Sequence, residues 1–118
     1  LVVINPGNPT GQVLSRENIE EIIHICYKER LVIIADEVYQ NNIYKEDISF
    51  VSFRKVLAEM GEPYANSVEL FSLNSISKGV LGECGLRGGY LECHNLDEFA
   101  SDMLYKLKSI ELCSNTVG

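Results

Sequence analysis

Three short clusters in the sequence hold side chains of types that could do chemistry together. The first is NPGNPTG at residues 5–11, the second is ADEVY at residues 35–39, and the third is SISK at 75–78 followed by GECGLRGGY at 82–90. An amine can act as a nucleophile or carry a proton, and a guanidinium fork can grip a phosphate through two parallel hydrogen bonds. Each cluster alone is a weak signal, so their meaning depends on whether the fold brings them together.

The elements before the second cluster alternate between strand and helix. Residues 1–4 and 31–35 are short, wholly apolar, β-branched runs of the kind found in strands buried on both faces. Between them, residues 16 to about 30 repeat apolar side chains at helical spacing, and Ser15 is placed to cap that helix. A strand, helix, strand unit of this length predicts parallel pairing.

The rest of the chain continues the alternation around one irregular segment. Apolar patterns predict a helix, two strands and a closing helix at residues 51–60, 68–73, 89–93 and 97 to about 112. Residues 74–89 hold five of the nine glycines and are too irregular for a helix, which is typical of a functional loop. The predicted fold class is therefore α/β with a mostly parallel sheet.

Each polar cluster follows the carboxyl end of a predicted strand. Asn8 comes after the first strand, Asp36 after the second and Lys78 after the third. Ligands of open α/β sheets bind in the crevice at that edge. We therefore expect these three residues, far apart in sequence, to face one crevice.

In order and spacing, the three clusters resemble the fold-type I aminotransferases that depend on pyridoxal 5'-phosphate, and the last cluster is most similar to the alanine aminotransferase branch. The resemblance spans essentially the whole chain. It implies a three-layer α/β/α fold, with residues 1–118 as the central part of the cofactor-binding large domain of a homodimer. The flanks and the small domain would lie outside this chain, together with the ring-stacking and substrate-carboxylate residues, so the chain alone would be inactive.

The resemblance also assigns roles to the residues that react with the cofactor and hold its ring. Lys78 matches the catalytic lysine that forms a Schiff base with the cofactor aldehyde and then moves a proton at the substrate α-carbon. Asp36 matches the carboxylate that pairs with the pyridine nitrogen. An acid that ends a buried strand needs such a partner to offset its desolvation.

The remaining cofactor contacts implied by the resemblance are neutral donors and phosphate ligands. Asn8 and Tyr39 match the pair that hydrogen-bonds the phenolic oxygen of the cofactor. Ser75 and Arg87 match the phosphate anchors, and Ser77 is a further candidate beside them.

The implied reaction is transamination between L-alanine and 2-oxoglutarate, giving pyruvate and L-glutamate. A glutamate:glyoxylate aminotransferase, another class I or II aminotransferase and a carbon–sulfur lyase use a similar cradle and stay open as alternatives. A different class is a phosphate-binding module without activity, but no Gly-x-Gly-x-x-Gly follows a predicted strand here. A purely structural piece is the third possibility.

Composition narrows the partners. The chain has 17 acidic and 10 basic residues and a net charge of −7, which argues against nucleic acid and anionic membranes as partners. No apolar run approaches the length of about 20 residues that crosses a bilayer. We expect a cytoplasmic protein. Because the sequence has no initiating methionine and reads as an excerpt, a mitochondrial or peroxisomal address stays open.

Several other polar residues are given no role. The four cysteines have no disulfide or zinc spacing, and we predict reduced thiols and no metal site, including around Cys84, Cys93 and His94. Glu37, Glu83, His24 and His94 are expected to be solvated loop or helix-face residues.

Overall fold

The computed structural model describes residues 1–111 and contains one four-stranded sheet with the strands in sequence order. The strands are β1 (Val2–Ile4), β2 (Ile33–Asp36), β3 (Leu70–Ser75) and β4 (Gly89–His94). β1, β2 and β3 are parallel, and β4 is antiparallel to β3. The predicted α/β fold with a mostly parallel sheet is confirmed, although β3 ends two residues beyond its predicted end, and β2 and β4 each end one residue beyond theirs.

Three α-helices accompany the sheet: α1 (Arg16–Glu29), α2 (Phe53–Met60) and α3 (Glu98–Glu111). Ser15 caps α1 as predicted, with its side chain accepting the Asn18 backbone N–H in a capping box. Ser52 caps α2 in the same way by accepting the Lys55 N–H at 3.1 Å. The predicted helix end near Leu112 lies outside the described residues, as does Cys113.

The core lies between one face of the sheet and helices α1 and α2. Its members are apolar side chains that are almost completely buried: Ile19, Ile23, Cys26, Ile33, Ala35, Phe53, Val56, Leu57, Val68 and Leu70. On the opposite face, Val2 and Ile4 remain 64% and 45% exposed. α3 approaches that face beside β4, where Leu104 lines a groove with Leu91. The described residues thus form two complete layers and part of a third.

Alternation along β2 decides which side chains face the core. Ile33 and Ala35 are buried, whereas Ile34 and Asp36 are half-buried on the other side of the sheet. The carboxylate of Asp36 therefore stands on the open face at the end of its strand.

Glu37 corrects one expectation, because it is buried rather than solvated. Only 5% of the residue is exposed. Its Oε1 accepts the backbone N–H of Phe53 at 2.8 Å, and its Oε2 accepts the hydroxyl of Ser72 at 2.9 Å. Phe53 begins α2, where backbone N–H groups lack partners within the helix and the helix dipole favours negative charge. Glu37 therefore ties the end of β2 to both β3 and α2.

Burial raises the pKa of Glu37 above its ordinary value of 4.5, although the two hydrogen bonds oppose the shift. The nearby charge of Glu92 acts in the same direction as burial. Because the folded pKa is raised, the stability that the protonated carboxyl contributes is complete below the unfolded pKa and is lost as pH rises through the folded pKa.

None of the helices within residues 1–111 is both long and apolar enough to span a membrane.

The pH dependence of stability tests this description of Glu37. Glu37→Gln keeps an acceptor oxygen for Phe53 and carries no charge. Its free energy of unfolding should therefore increase relative to that of the unmodified protein as pH rises through the raised pKa of Glu37. Glu37→Ala leaves two buried donors unpaired and should cost about 1–3 kcal/mol. Urea unfolding of the intact protein between acidic and neutral pH measures both. A Glu37→Gln difference that does not change with pH would show that the carboxyl does not titrate as described.

A cleft at the carboxyl edge of the sheet

A cleft of about 480 Å³ opens where β1, β2 and β3 end. Six of the seven residues that the sequence predicted for the site line it: Asn8, Asp36, Tyr39, Ser75, Ser77 and Lys78. Asn74 and the apolar side chains of Ile4, Val38 and Leu73 complete its walls. The parallel strands thus bring together side chains from all three sequence clusters.

Asp36 is positioned by the register of the three parallel strands. Ile4 and Leu73 are its neighbours on β1 and β3, so the carboxylate lies in one row with two apolar side chains. Its backbone carbonyl accepts the Asn5 N–H at 3.0 Å, and its Oδ1 accepts the Val38 N–H at 3.3 Å. A half-buried carboxylate between apolar neighbours is partly desolvated, which favours a cationic partner in the cleft.

Asn8 and Tyr39 form a direct pair across the cleft. The Asn8 Nδ2 donates to the Tyr39 hydroxyl at 3.0 Å, although the residues are 31 positions apart. Tyr39 is carried by a turn after β2, in which the Asn42 N–H donates to the Tyr39 carbonyl at 2.8 Å. The remaining amide hydrogen of Asn8 and the hydroxyl hydrogen of Tyr39 are two neutral donors, and both residues line the cleft.

The loop before α1 depends on Asn5, a residue to which the sequence assigned no role. It is completely buried, and its Oδ1 accepts the Leu14 N–H at 2.9 Å, which closes the loop that carries Asn8. The Gly7 N–H donates to the Gln12 carbonyl at 2.9 Å and narrows the same loop. The sequence signal for this role was an asparagine directly after an apolar strand. Asparagine is also common in ordinary turns, so the sequence alone could not show that this side chain is buried and holds the loop.

The third cluster is anchored to the start of β4. The Ser75 Oγ accepts the Ser77 N–H at 3.1 Å and donates to the Gly88 carbonyl at 3.2 Å. The turn that follows places Lys78 in the cleft wall and continues into Gly79, whose φ of +77° favours glycine. Lys78 is exposed, so its amine is accessible to a ligand in the cleft.

Close approach of β4 to β3 requires glycine at position 89. A Cβ built on Gly89 would lie 2.6 Å from the Asn74 carbonyl oxygen, well inside contact distance. Gly89 pairs with Ser75 in the antiparallel register. The absence of a side chain at this position therefore lets the Ser75 hydroxyl lie at the strand end and donate its hydrogen bond to the Gly88 carbonyl.

Arg87 is the predicted site residue that the structure does not bring into the cleft. It is exposed, and its guanidinium donates to the Cys84 carbonyl at 2.7 Å. The backbone there is held by local turns, such as the Glu83 N–H to the Ile76 carbonyl at 2.9 Å. A role for Arg87 toward phosphate stays a prediction.

The other polar residues considered in the sequence lie outside the cleft walls. His24 is on α1, with its Nδ1 2.9 Å from the Tyr64 hydroxyl. His94 ends β4, and its Nε2 lies 3.7 Å from Glu92. Within residues 1–111, no group of three or more His, Cys, Asp or Glu side chains is arranged to hold a metal ion.

Comparison with known proteins agrees with the family resemblance that the three sequence clusters indicate. The family model described as aminotransferase class I and II matches residues 1–114. Alanine aminotransferase 1 of Bos taurus is 57% identical over 118 residues, which is 100% of this chain and 24% of that protein. Glutamate–glyoxylate aminotransferase 1 of Arabidopsis thaliana is 53% identical over 115 residues, which is 98% of this chain and 24% of that protein.

The solved structure of an alanine aminotransferase from Pyrococcus furiosus superimposes with a TM-score of 0.74 at 27% identity. The match covers 98% of this chain and 27% of that one. The present chain therefore spans about a quarter of the length of the proteins that it matches.

Replacement of Gly89 tests the close approach of β4 to the cleft. Gly89→Ala should lower the free energy of unfolding by about 1–3 kcal/mol, because its Cβ would force β4 away from Asn74. Gly85→Ala is the matched control, since a Cβ there meets nothing within 4 Å. Urea unfolding of the two variants provides the comparison, and equal stabilities would contradict the packing described for Gly89.

Proposed function

Because the chain belongs to the aminotransferase class I and II family, we propose that it is the reactive central part of an enzyme that transfers amino groups from L-alanine to 2-oxoglutarate. The products are pyruvate and L-glutamate. The observation that carries this proposal is the convergence of Asp36, Tyr39 and Lys78 on one cleft. The 57% identity to a bovine alanine aminotransferase supports this choice of substrates.

The side chains of the cleft fit pyridoxal 5'-phosphate, which supplies an electron-accepting ring that makes the α-hydrogen of an attached amino acid acidic. Asp36 would hold the ring nitrogen, and Asn8 with Tyr39 would donate to the phenolic oxygen. Ser75 and Ser77 would bind the phosphate, and the Lys78 amine would condense with the aldehyde, whose oxygen would leave as water. Every polar group of the cofactor then has a partner of complementary chemistry from this chain.

Asp36 contributes a fixed negative charge. A carboxylate beside a basic nitrogen favours the protonated form of that nitrogen. Ile4 and Leu73 flank the carboxylate in the sheet and limit its access to water, which strengthens the interaction. Asp36 would therefore act through its charge on the ring nitrogen and not by contact with the reacting bonds.

Lys78 contributes an amine that can take and return a proton. Its position in the cleft wall places it in the same cavity as Tyr39 and Asn8. When free of the cofactor and unprotonated, the amine would take the proton from the α-carbon of the substrate and deliver it to the cofactor carbon that had carried the aldehyde oxygen. Both proton transfers therefore depend on one side chain.

Asn8 and Tyr39 contribute donors that are already oriented. Their mutual hydrogen bond of 3.0 Å fixes the tyrosine hydroxyl and the amide relative to each other before a ligand binds. Preoriented neutral donors stabilise negative charge on an oxygen without reorganisation.

Arg87 is proposed as a further phosphate ligand on the strength of its resemblance to the family's arginine. In the described structure it bonds to Cys84, so this role requires its side chain to turn toward the cleft. The exposed loop that carries it is compatible with such a change of rotamer.

We propose that residues 1–118 form the central part of a large domain in a longer, homodimeric protein. The matched proteins are about four times longer than this chain, in agreement with that proposal. A cytoplasmic location is proposed from the sequence.

A second candidate is transfer from L-glutamate to glyoxylate, favoured by 53% identity to the Arabidopsis enzyme. Assays of the full-length protein distinguish the two. The proposal predicts pyruvate from L-alanine with 2-oxoglutarate at a kcat/KM at least about tenfold above that for glycine formation from glutamate and glyoxylate. The reverse ratio would favour the second candidate, and absence of both activities would reject transamination of these substrates.

Asp36→Asn should separate cofactor binding from catalysis. The amide keeps the shape of the carboxylate but not its charge, so the ring nitrogen loses the partner that keeps it protonated. We expect near-normal pyridoxal phosphate occupancy, measured by absorbance, and a fall in kcat of about 10²-fold or more, comparable to removal of other electrostatic catalytic groups. Asp47→Asn, at an exposed loop position, is the control. Normal turnover of a cofactor-loaded Asp36→Asn variant would remove Asp36 from this role.

A further inference from the structure

Glu37 lies between two residues of the cleft, but its side chain points away from the cleft. Asp36 and Tyr39 line the cavity, whereas the Glu37 carboxyl is buried behind it against Phe53 and Ser72. Both carboxyl oxygens are used, at 2.8 and 2.9 Å. A buried carboxyl costs free energy unless it is fully hydrogen-bonded. We therefore expect Glu37 to do more than fill space in the core.

The backbone of Glu37 is held as firmly as its side chain. Its N–H donates to the Leu73 carbonyl at 3.1 Å, and its carbonyl accepts the Gln40 N–H at 3.0 Å. The first bond continues the parallel pairing of β2 with β3, and the second closes the turn that carries Tyr39. Glu37 is therefore the point at which the strand, the turn, β3 and α2 meet.

The distance between the Asp36 carboxylate and the Tyr39 hydroxyl depends on the backbone of this turn. Tyr39 in turn holds Asn8 at 3.0 Å, a length at which a displacement of half an ångström weakens the hydrogen bond. The buried hydrogen bonds of Glu37 thus restrict the positions of Asp36, Tyr39 and Asn8, three of the side chains that line the cleft.

We propose that Glu37 is a positioning residue that fixes Asp36 and Tyr39 for the cofactor through its buried bonds to Ser72 and Phe53. This inference rests on the proposed function for its catalytic consequence. Its structural content is independent of that function, because the bonds lie within this chain.

Hydrogen exchange in the cofactor-free, full-length protein tests the structural content directly. In Glu37→Ala, the amides of Gln40 and Asn42 should exchange about tenfold faster relative to the amide of Ile23 in α1, the factor expected for loss of one buried hydrogen bond. The dissociation constant for pyridoxal phosphate should rise by a similar factor. Glu37→Gln should restore both values to within about twofold, since its amide can satisfy the same two partners.

Ser52→Ala is the matched control, because it removes a different hydrogen bond at the same end of α2. It should lower global stability while leaving the turn amides and cofactor affinity within about twofold of normal, since it does not touch the turn. Ser72→Ala removes one of the two partners of Glu37 and should give a smaller effect in the same direction as Glu37→Ala. It also decides the matter if Glu37→Ala does not fold.

The outcomes separate the possibilities. If Ser52→Ala accelerated exchange of the turn amides as much as Glu37→Ala or Ser72→Ala does, Glu37 would merely stabilise α2 and the proposal would be wrong. Unchanged exchange of the turn amides in all three variants would also overturn the proposal. If the unmodified full-length protein bound no pyridoxal phosphate, the proposed function would fail, while the exchange data would still decide whether Glu37 fixes the turn.

Discussion

The parallel pairing of β1, β2 and β3 is the constraint on which the cleft depends. It places Ile4, Asp36 and Leu73 in one row, so that the segments after the three strands leave the sheet at the same edge. A slip of β2 by one residue would turn Asp36 toward the helices and Ala35 toward the cleft. The buried side chains of Ile33 and Ala35 oppose such a slip, since they fill the core beneath α1 and α2. The hydrophobic core thus fixes the position of the carboxylate.

Three residues that lie outside the cleft walls then fix the loops that leave this edge. Asn5 closes the loop that carries Asn8, Glu37 anchors the turn that carries Tyr39, and Gly89 lets β4 come close enough for the hydrogen bond from Ser75 to Gly88. Each acts on a different loop, and none of the three lines the cleft itself. Both oxygens of the buried Glu37 carboxyl are hydrogen-bonded, and a buried polar group whose partners are all present specifies one geometry.

Much of the fold and most of the cleft could be predicted because they depend on local signals. Apolar runs and capping residues located the four strands and three α-helices of the described residues, although not the short 3-10 helices at Tyr64–Asn66 and Cys84–Leu86. The position of Asn8, Asp36 and Lys78 after strands predicted their convergence. Glu37 was predicted wrongly, because its burial depends on partners 16 and 35 residues away that no local pattern reveals. The position of the Arg87 side chain could not be predicted from the sequence either, because a glycine-rich loop has no periodicity from which its path could be inferred.

The central claim is that three strand ends place Lys78 where a cofactor aldehyde would bind, and covalent labelling tests it most directly. Borohydride reduction of the full-length protein loaded with pyridoxal phosphate, followed by digestion and mass spectrometry, should place the cofactor mass on the peptide that contains Lys78. Lys78→Ala should lose the label and the activity, whereas Lys55→Ala, which removes an exposed lysine of α2, should keep both. A label on Lys45, Lys55, Lys106 or Lys108, or full activity in Lys78→Ala, would contradict the account.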